Sequence, residues 1–252
     1  MDSTEERKTR YRDLVRRVRD SYKNGFQELI WCDACEEINL WTYWQGRNFG
    51  EVQILVAGQD WGAPELPEAA SVMENVRRMN RGEKVSYMDG NKSLTDRNLI
   101  RLFASIGCPL PEDGTADGRV FFTNLVLGYW QGTISGGLKS GWIQKDAPFF
   151  RELAEILDPK VIICLGKETF RGVLKAFGAP IPRSLTCFND FLEGCDNPVI
   201  VDRNGKDLFV FASAHPGALG VMNRNRGTET HEDKLYRLKK DWEKIGKVMK
   251  SL

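Results

Sequence analysis

Apolar residues along this chain fall into two patterns, and the alternation between them predicts the architecture. Short continuous apolar runs bounded by glycine or polar residues read as buried strands. These are Ile54-Leu55-Val56-Ala57, then Val120 through Val126 with Asn124 near its end, then Val161-Ile162-Ile163-Cys164-Leu165 before Gly166. Elsewhere the apolar positions recur at helical spacing. Leu14, Val15, Val18, Tyr22, Phe26, Leu29 and Ile30 predict an N-terminal helix within residues 1–31, with Asn24-Gly25 as a break or kink. Ser93 or Thr95 caps a helix carrying Leu94, Leu99, Leu102, Phe103 and Ile106, which ends at Gly107. Further helices are expected at about 146–157, stopped by Asp158-Pro159, and at 167–177. Asn204-Gly205 joins Val199-Ile200-Val201 to the run Leu208-Phe209-Val210-Phe211-Ala212, a strong hairpin signal. A C-terminal helix over 231–249 carries Leu235, Leu238, Trp242, Ile245 and Val248. Residues 65–92 read as a long irregular excursion, 132–141 as a glycine-rich loop and 178–198 as a loop with three prolines. Strands alternating with helices imply an α/β fold: three layers, α/β/α, around a mostly parallel central sheet, as a single domain over residues 1–252.

Composition narrows the classes. With 41% hydrophobic and 28% charged residues among 252, the chain is globular and can bury a sizeable core. No apolar run approaches about eighteen residues, so no membrane span is expected. Met1 to Glu6 is polar, unlike a signal peptide, and six cysteines without dense pairing suit a reducing cytosol; the expected location is cytoplasmic. The net charge of +1 neither demands nor excludes nucleic acid. Both ends are moderately basic, with eight Lys/Arg against five Asp/Glu in residues 1–23 and nine against five in residues 221–252.

The chemistry gathers at strand ends. In an open α/β sheet, ligands bind outside the carboxyl ends of the strands. Three such ends each offer one polar side chain: Asp60 after the first strand, Asn124 on the second, and His215 after the run ending at Ala212. A carboxylate, a fixed amide and an imidazole suit hydrolytic removal of a nucleobase. The amide presents donor and acceptor to a base edge, the imidazole hydrogen-bonds an oxygen that gains negative charge, and the carboxylate orients water and offsets positive charge on the sugar. Other motifs fail. Gly166-Lys167 has Val161 where a phosphate loop needs its first glycine, and no Gly-x-Gly-x-x-Gly follows a strand. A Ser213, His215 and Asp60 triad lacks the Gly-x-Ser-x-Gly turn. His231 reads as a solvated or capping residue. Cys32-Asp33-Ala34-Cys35 is half of a metal site, since zinc or an iron–sulfur centre needs four ligands.

Gly58-Gln59-Asp60-Trp61-Gly62 resembles the first motif of the uracil-DNA glycosylase superfamily, whose classical members read Gly-Gln-Asp-Pro-Tyr. His215-Pro216-Gly217-Ala218-Leu219 resembles the second, His-Pro-Ser-Pro-Leu and variants. Ser93 to Gly107, Phe122 to Val126 and Phe149 to Leu174 resemble the iron–sulfur branch, in register over roughly residues 29–222. The resemblance implies a monofunctional DNA glycosylase acting on uracil or another deaminated base in DNA. It implies Asp60 as the carboxylate assisting water attack and His215 as the stabiliser of the departing base. Base contacts would come from Gln59, Trp61, Gly62, Asn124 and a stacking Tyr87, and duplex contacts from Gly217, Ala218 and the wedge Leu219.

Departures from the family pattern shape the expectation. Gly62 stands where classical members keep a methyl-excluding tyrosine, and Trp61 replaces a proline. Cys32 and Cys35 match two cluster cysteines, but Leu127-Gly128 and Ala147-Pro148 stand where the other two would fall, so no cluster, metal or cofactor is expected. No obligatory protein partner is implied. The rival expectation is a non-catalytic nucleic-acid or nucleobase-binding relative; a hydrolase of free nucleosides or nucleotides ranks behind it.

Overall fold

The computed structural model describes residues 4–23, 29–30, 51–62, 74, 94–110, 119–130, 139–195, 197–203, 205–227 and 231–251. Its centre is a five-stranded sheet in the order β4-β2-β6-β8-β7. Here β2 is Ile54–Gly58, β4 Val120–Asn124, β6 Val161–Leu165, β7 Val199–Arg203 and β8 Lys206–Ser213. The first four in this order are parallel, and β7 closes one edge as the antiparallel arm of the hairpin across Gly205. Continuous apolar runs form β2, β4 and β6 because parallel strands are covered on both faces; their residues are buried almost throughout. On the edge strand β7 burial is broken, and Ile200 stays 55% exposed.

Two adjacent phenylalanines of β4 show the three layers. Successive strand residues point to opposite faces. Phe121 meets Tyr11 edge-on at 6.0 Å, on the face covered by α1 (Thr4–Lys23) and α3 (Ser140–Leu157). Phe122 lies 5.8 Å from Phe103 of α2 (Leu94–Ser105), which in turn meets Trp242 of α7 (Tyr236–Ser251) at 5.0 Å on the other face. Helix α4 (Lys167–Ala176) packs against α3, β6 and β8. A second, minimal sheet joins β1 (Leu29–Ile30), β5 (Tyr129–Trp130) and β3 (Trp61–Gly62). The expected α/β fold with its mostly parallel sheet is therefore present.

Several boundaries differ. The N-terminal helix does not extend to residue 31: it ends at Lys23, before Asn24-Gly25, and Leu29–Ile30 pair as a strand. The C-terminal helix starts at Tyr236 rather than 231, because Asp233 organises a turn first, its carboxylate accepting the Leu235 N–H and its carbonyl the Tyr236 N–H. Helix α3 begins at Ser140, inside the expected glycine-rich loop, and runs through Pro148. It stops at Asp158, where the Asp-Pro pair predicts an end, and Asp158 takes the left-handed conformation. Within the expected proline loop, a 3-10 turn (Arg183–Thr186) precedes the short helix α5 (Phe188–Glu193). One more helix, α6 (Ala218–Arg224), follows His215.

Candidate active site

Register places the strand ends on one edge of the sheet. Asn124 pairs with Gly58 across β4 and β2, Ala57 with Cys164 across β2 and β6, and Leu165 with Ser213 across β6 and β8. Asp60 lies two residues beyond Gly58, and His215 two beyond Ser213. The acid and the imidazole thus leave the same carboxyl edge, one strand apart, a spacing of roughly 10 Å between strand axes.

Each side chain is positioned by its own local device. Asn124 is 6% exposed and lies over Gly58, where a Cβ would fall 2.1 Å from the amide oxygen. Only glycine permits that approach. Beyond β4 the backbone N–H groups of Leu125 and Val126 donate to the carbonyls of Gly58 and Gln59 at 2.9 and 3.0 Å, which ties the turn carrying Asp60 to the chain after Asn124. Asp60 is partly buried, with its Oδ2 atom out of solvent. Trp61 and Gly62 continue as β3, paired in parallel with Tyr129 and Trp130.

His215 is exposed to solvent, while Pro216 and Gly217 behind it are buried. Its Nδ1 accepts the Gly217 N–H at 3.0 Å. A nitrogen that accepts carries no proton, so the neutral ring holds its proton on Nε2. Although part of the residue meets solvent, desolvation of the ring pushes the imidazole below its ordinary pKa and so favours its neutral form. Two contacts fix the loop. Asn98 Nδ2 of α2 donates to the Pro216 carbonyl at 2.7 Å, and α6 presses Gly220 so closely that a Cβ there would lie 2.0 Å from the His215 carbonyl oxygen.

Helix α6 has two faces. Val221 and Arg224 turn inward, and Arg224 makes a two-pronged contact with Asp241 of α7 at 2.7 and 2.8 Å. Leu219 and Met222, three residues apart, are 72% and 60% exposed, and Ala218 is exposed beside them. Ser213 is 1% exposed, donates to the Ala214 carbonyl and accepts the Trp242 indole N–H at 2.9 Å, which removes it as a nucleophile. His231 is exposed, and its ring lies 4.1 Å from that of Tyr236.

Asn98 and Met222 escaped the sequence reading. Asn98 interrupts the apolar stripe of α2, and a polar residue on an inward stripe signals a buried hydrogen bond. Met222 lies on a helix that two glycines disguise. Tyr87, Cys32 and Cys35 lie outside the described residues. Leu127, Gly128, Ala147 and Pro148 bring no thiol. Among the described residues, no group of three or more His, Cys, Asp or Glu is placed to hold a metal ion.

Sheet order and register define an open α/β protein with polar residues gathered at the carboxyl edge of its sheet. A family model described as the uracil DNA glycosylase superfamily matches residues 77–240, and the chain belongs to that superfamily. The matched span contains Asn98, Asn124 and His215; Gly58 to Gly62 lie upstream of it. No curated protein matches the chain.

Proposed function

We propose that the protein is a DNA glycosylase that hydrolyses the N-glycosidic bond of uracil or another deaminated base flipped out of DNA. The observation that carries this reading is the placement of His215, whose Nδ1 accepts the Gly217 N–H, on the same sheet edge as Asn124 and Asp60. A base leaving as an anion needs a donor that stays protonated while charge develops, and one such hydrogen bond is worth about 10²–10³ in rate. Asn124 would hold the pairing edge of the extruded base through an amide for which glycine at position 58 leaves room. Asp60 would orient the water that attacks the sugar carbon as the carbon–nitrogen bond breaks. The products are an abasic site and the free base. Gln59, Trp61, Gly62 and Tyr87 would line the base pocket.

Extruding a base costs a few kcal/mol, and an apolar side chain inserted into the stack offsets part of it. Leu219, on the exposed face of α6 with Gly217 and Ala218 before it, suits that role. Met222 shares the face. The reaction requires no cofactor and no second protein, and we place it on cytoplasmic DNA. No helix among the described residues is long and apolar enough to cross a membrane.

The test is a base panel of uracil-, hypoxanthine- and thymine-containing oligonucleotides, cleaved with alkali after incubation, with free nucleosides alongside. The wild-type chain should leave abasic product from at least one DNA. Asp60→Asn and His215→Ala should each abolish release while circular dichroism stays unchanged; release at the wild-type rate by both would dispose of the mechanism. Trp61 and Gly62, which break the classical motif, favour a second reading as a non-catalytic binding relative, and binding without abasic product would support it.

A further inference from the structure

The strip after β4, residues 125–128, is gripped from two sides. On one, Leu125 and Val126 donate to Gly58 and Gln59. On the other, the Leu127 N–H donates to Oδ2 of Asp146 at 2.7 Å. The same oxygen receives the Tyr22 hydroxyl, from the last turn of α1. Asp146 is wholly buried in α3, and its other oxygen, Oδ1, has no hydrogen-bond partner among the described residues. Gly128 lies flat on the Tyr22 ring, with room for no Cβ (2.2 Å to Cε1). Lys145 caps the arrangement, its ammonium 4.7 Å above the Tyr22 ring and donating to the Ser21 carbonyl at 3.0 Å.

Packing alone does not account for a carboxyl here. A buried acid with two donors on one oxygen and none on the other is costly, and an apolar residue would serve the core better. What the acid achieves is the fixing of one backbone amide. That amide belongs to the strip joining Asn124 to the Gln59-Asp60 turn. Burial and the nearby acid push the Tyr22 phenol far above its ordinary range, so it remains a donor.

We propose that Asp146, oriented by Tyr22, is a positioning residue: through the Leu127 N–H it sets the strip 125–128 and with it the placement of Asn124 relative to Gln59 and Asp60. The inference rests on the glycosylase reading of those three residues. Helix α1 lies outside the matched span 77–240, so an N-terminal element reaches the site through this contact.

The full chain is tested as Asp146→Ala, Asp146→Asn and Tyr22→Phe. Three quantities are read: single-turnover release of the base that the wild-type removes, affinity for the same duplex, and hydrogen–deuterium exchange. Misplacement by an ångström costs up to about 10²-fold in rate. Asp146→Ala should lose at least about tenfold in release with affinity little changed, and exchange over 124–128 should quicken. Asp146→Asn keeps an acceptor oxygen and should restore most of the rate; Tyr22→Phe should fall between. A folded Asp146→Ala releasing base at the wild-type rate overturns the inference, whatever its melting temperature. If Asp146→Ala does not fold, Tyr22→Phe decides, and a wild-type rate there overturns it. A wild-type chain that releases no base sinks the glycosylase reading instead. The exchange arm then stands alone: quickening confined to the strip supports the grip by Asp146, and unchanged exchange removes it.

Discussion

His215 does two things with one ring. Nδ1 is committed to the Gly217 N–H, which leaves Nε2–H as the ring's donor. Protonating the ring destroys the first contact and replaces a neutral donor by a cation. Release should therefore fall on the acid side with a midpoint below the ordinary histidine pKa of about 6.5, measured as single-turnover rate against pH. The sign for stability agrees. The folded pKa lies below the unfolded one, so between the two the unfolded chain binds more protons. Stability is thus lost as pH falls from the unfolded pKa toward the folded one. Gly220→Ala tests the other side of the residue. Its new methyl meets the His215 carbonyl, a backbone atom that cannot step aside, so α6 must shift. We expect about 1–3 kcal/mol of destabilisation by denaturant melt and a clear loss of release. The sequence made His215, Asn124 and Asp60 legible as candidates because each sits at the end of an apolar run. It could not show the tautomer of His215, which depends on the backbone amide two residues on.

Helix α6 is held by an ion pair rather than by an apolar stripe. Arg224 is 2% exposed, forked onto Asp241, and also donates to Glu193 at 3.1 Å. Arg224→Met alone should cost about 3–5 kcal/mol, because Asp241 is left buried and unpaired; adding Asp241→Leu should recover most of it. A thermal-melt double-mutant cycle measures both. On the outer face, Leu219→Ala should slow release from duplex more than from single strands, and Leu219→Ala with Met222→Ala more again, since only the duplex needs its stack held open. At the start of α7, the Lys239 ammonium and then the Leu235 N–H hold Asp233 down to about 2. Its contribution to stability is present above the ordinary carboxylate pKa and disappears as pH falls toward 2. Asp233→Asn should flatten that part of the acid-unfolding curve. Long or uniformly apolar elements were readable: β2, β4, β6, α2 and α4 fall where the pattern puts them. Those that escaped are short or contain glycine. Gly141 hid the first turn of α3, Gly217 and Gly220 hid α6, and the paired dipeptides β1, β3 and β5 are too brief to show a period.

In the whole molecule, the two faces of the sheet divide the labour. The α2–α7 face carries the anchors of the His215 loop, Asn98 and, through Asp241, Arg224. The α1–α3 face carries Tyr22 and Asp146 beneath the Asn124 strip. Neither arrangement was visible in sequence, because it depends on which helices share a face, and spacing along one helix does not report that.

The place of β2 has a consequence for biosynthesis. This strand, early in the chain, lies between β4 and β6, which are made later. Emerging from the ribosome, Ile54–Gly58 therefore waits for about a hundred further residues before both its flanks are hydrogen-bonded, and such non-local pairing is slow. A nascent chain halted before Val161 should be cut by protease near Ile54–Gly58, and one halted after Ser213 has cleared the exit tunnel should resist. Co-translational chaperones would meet their apolar target in that interval.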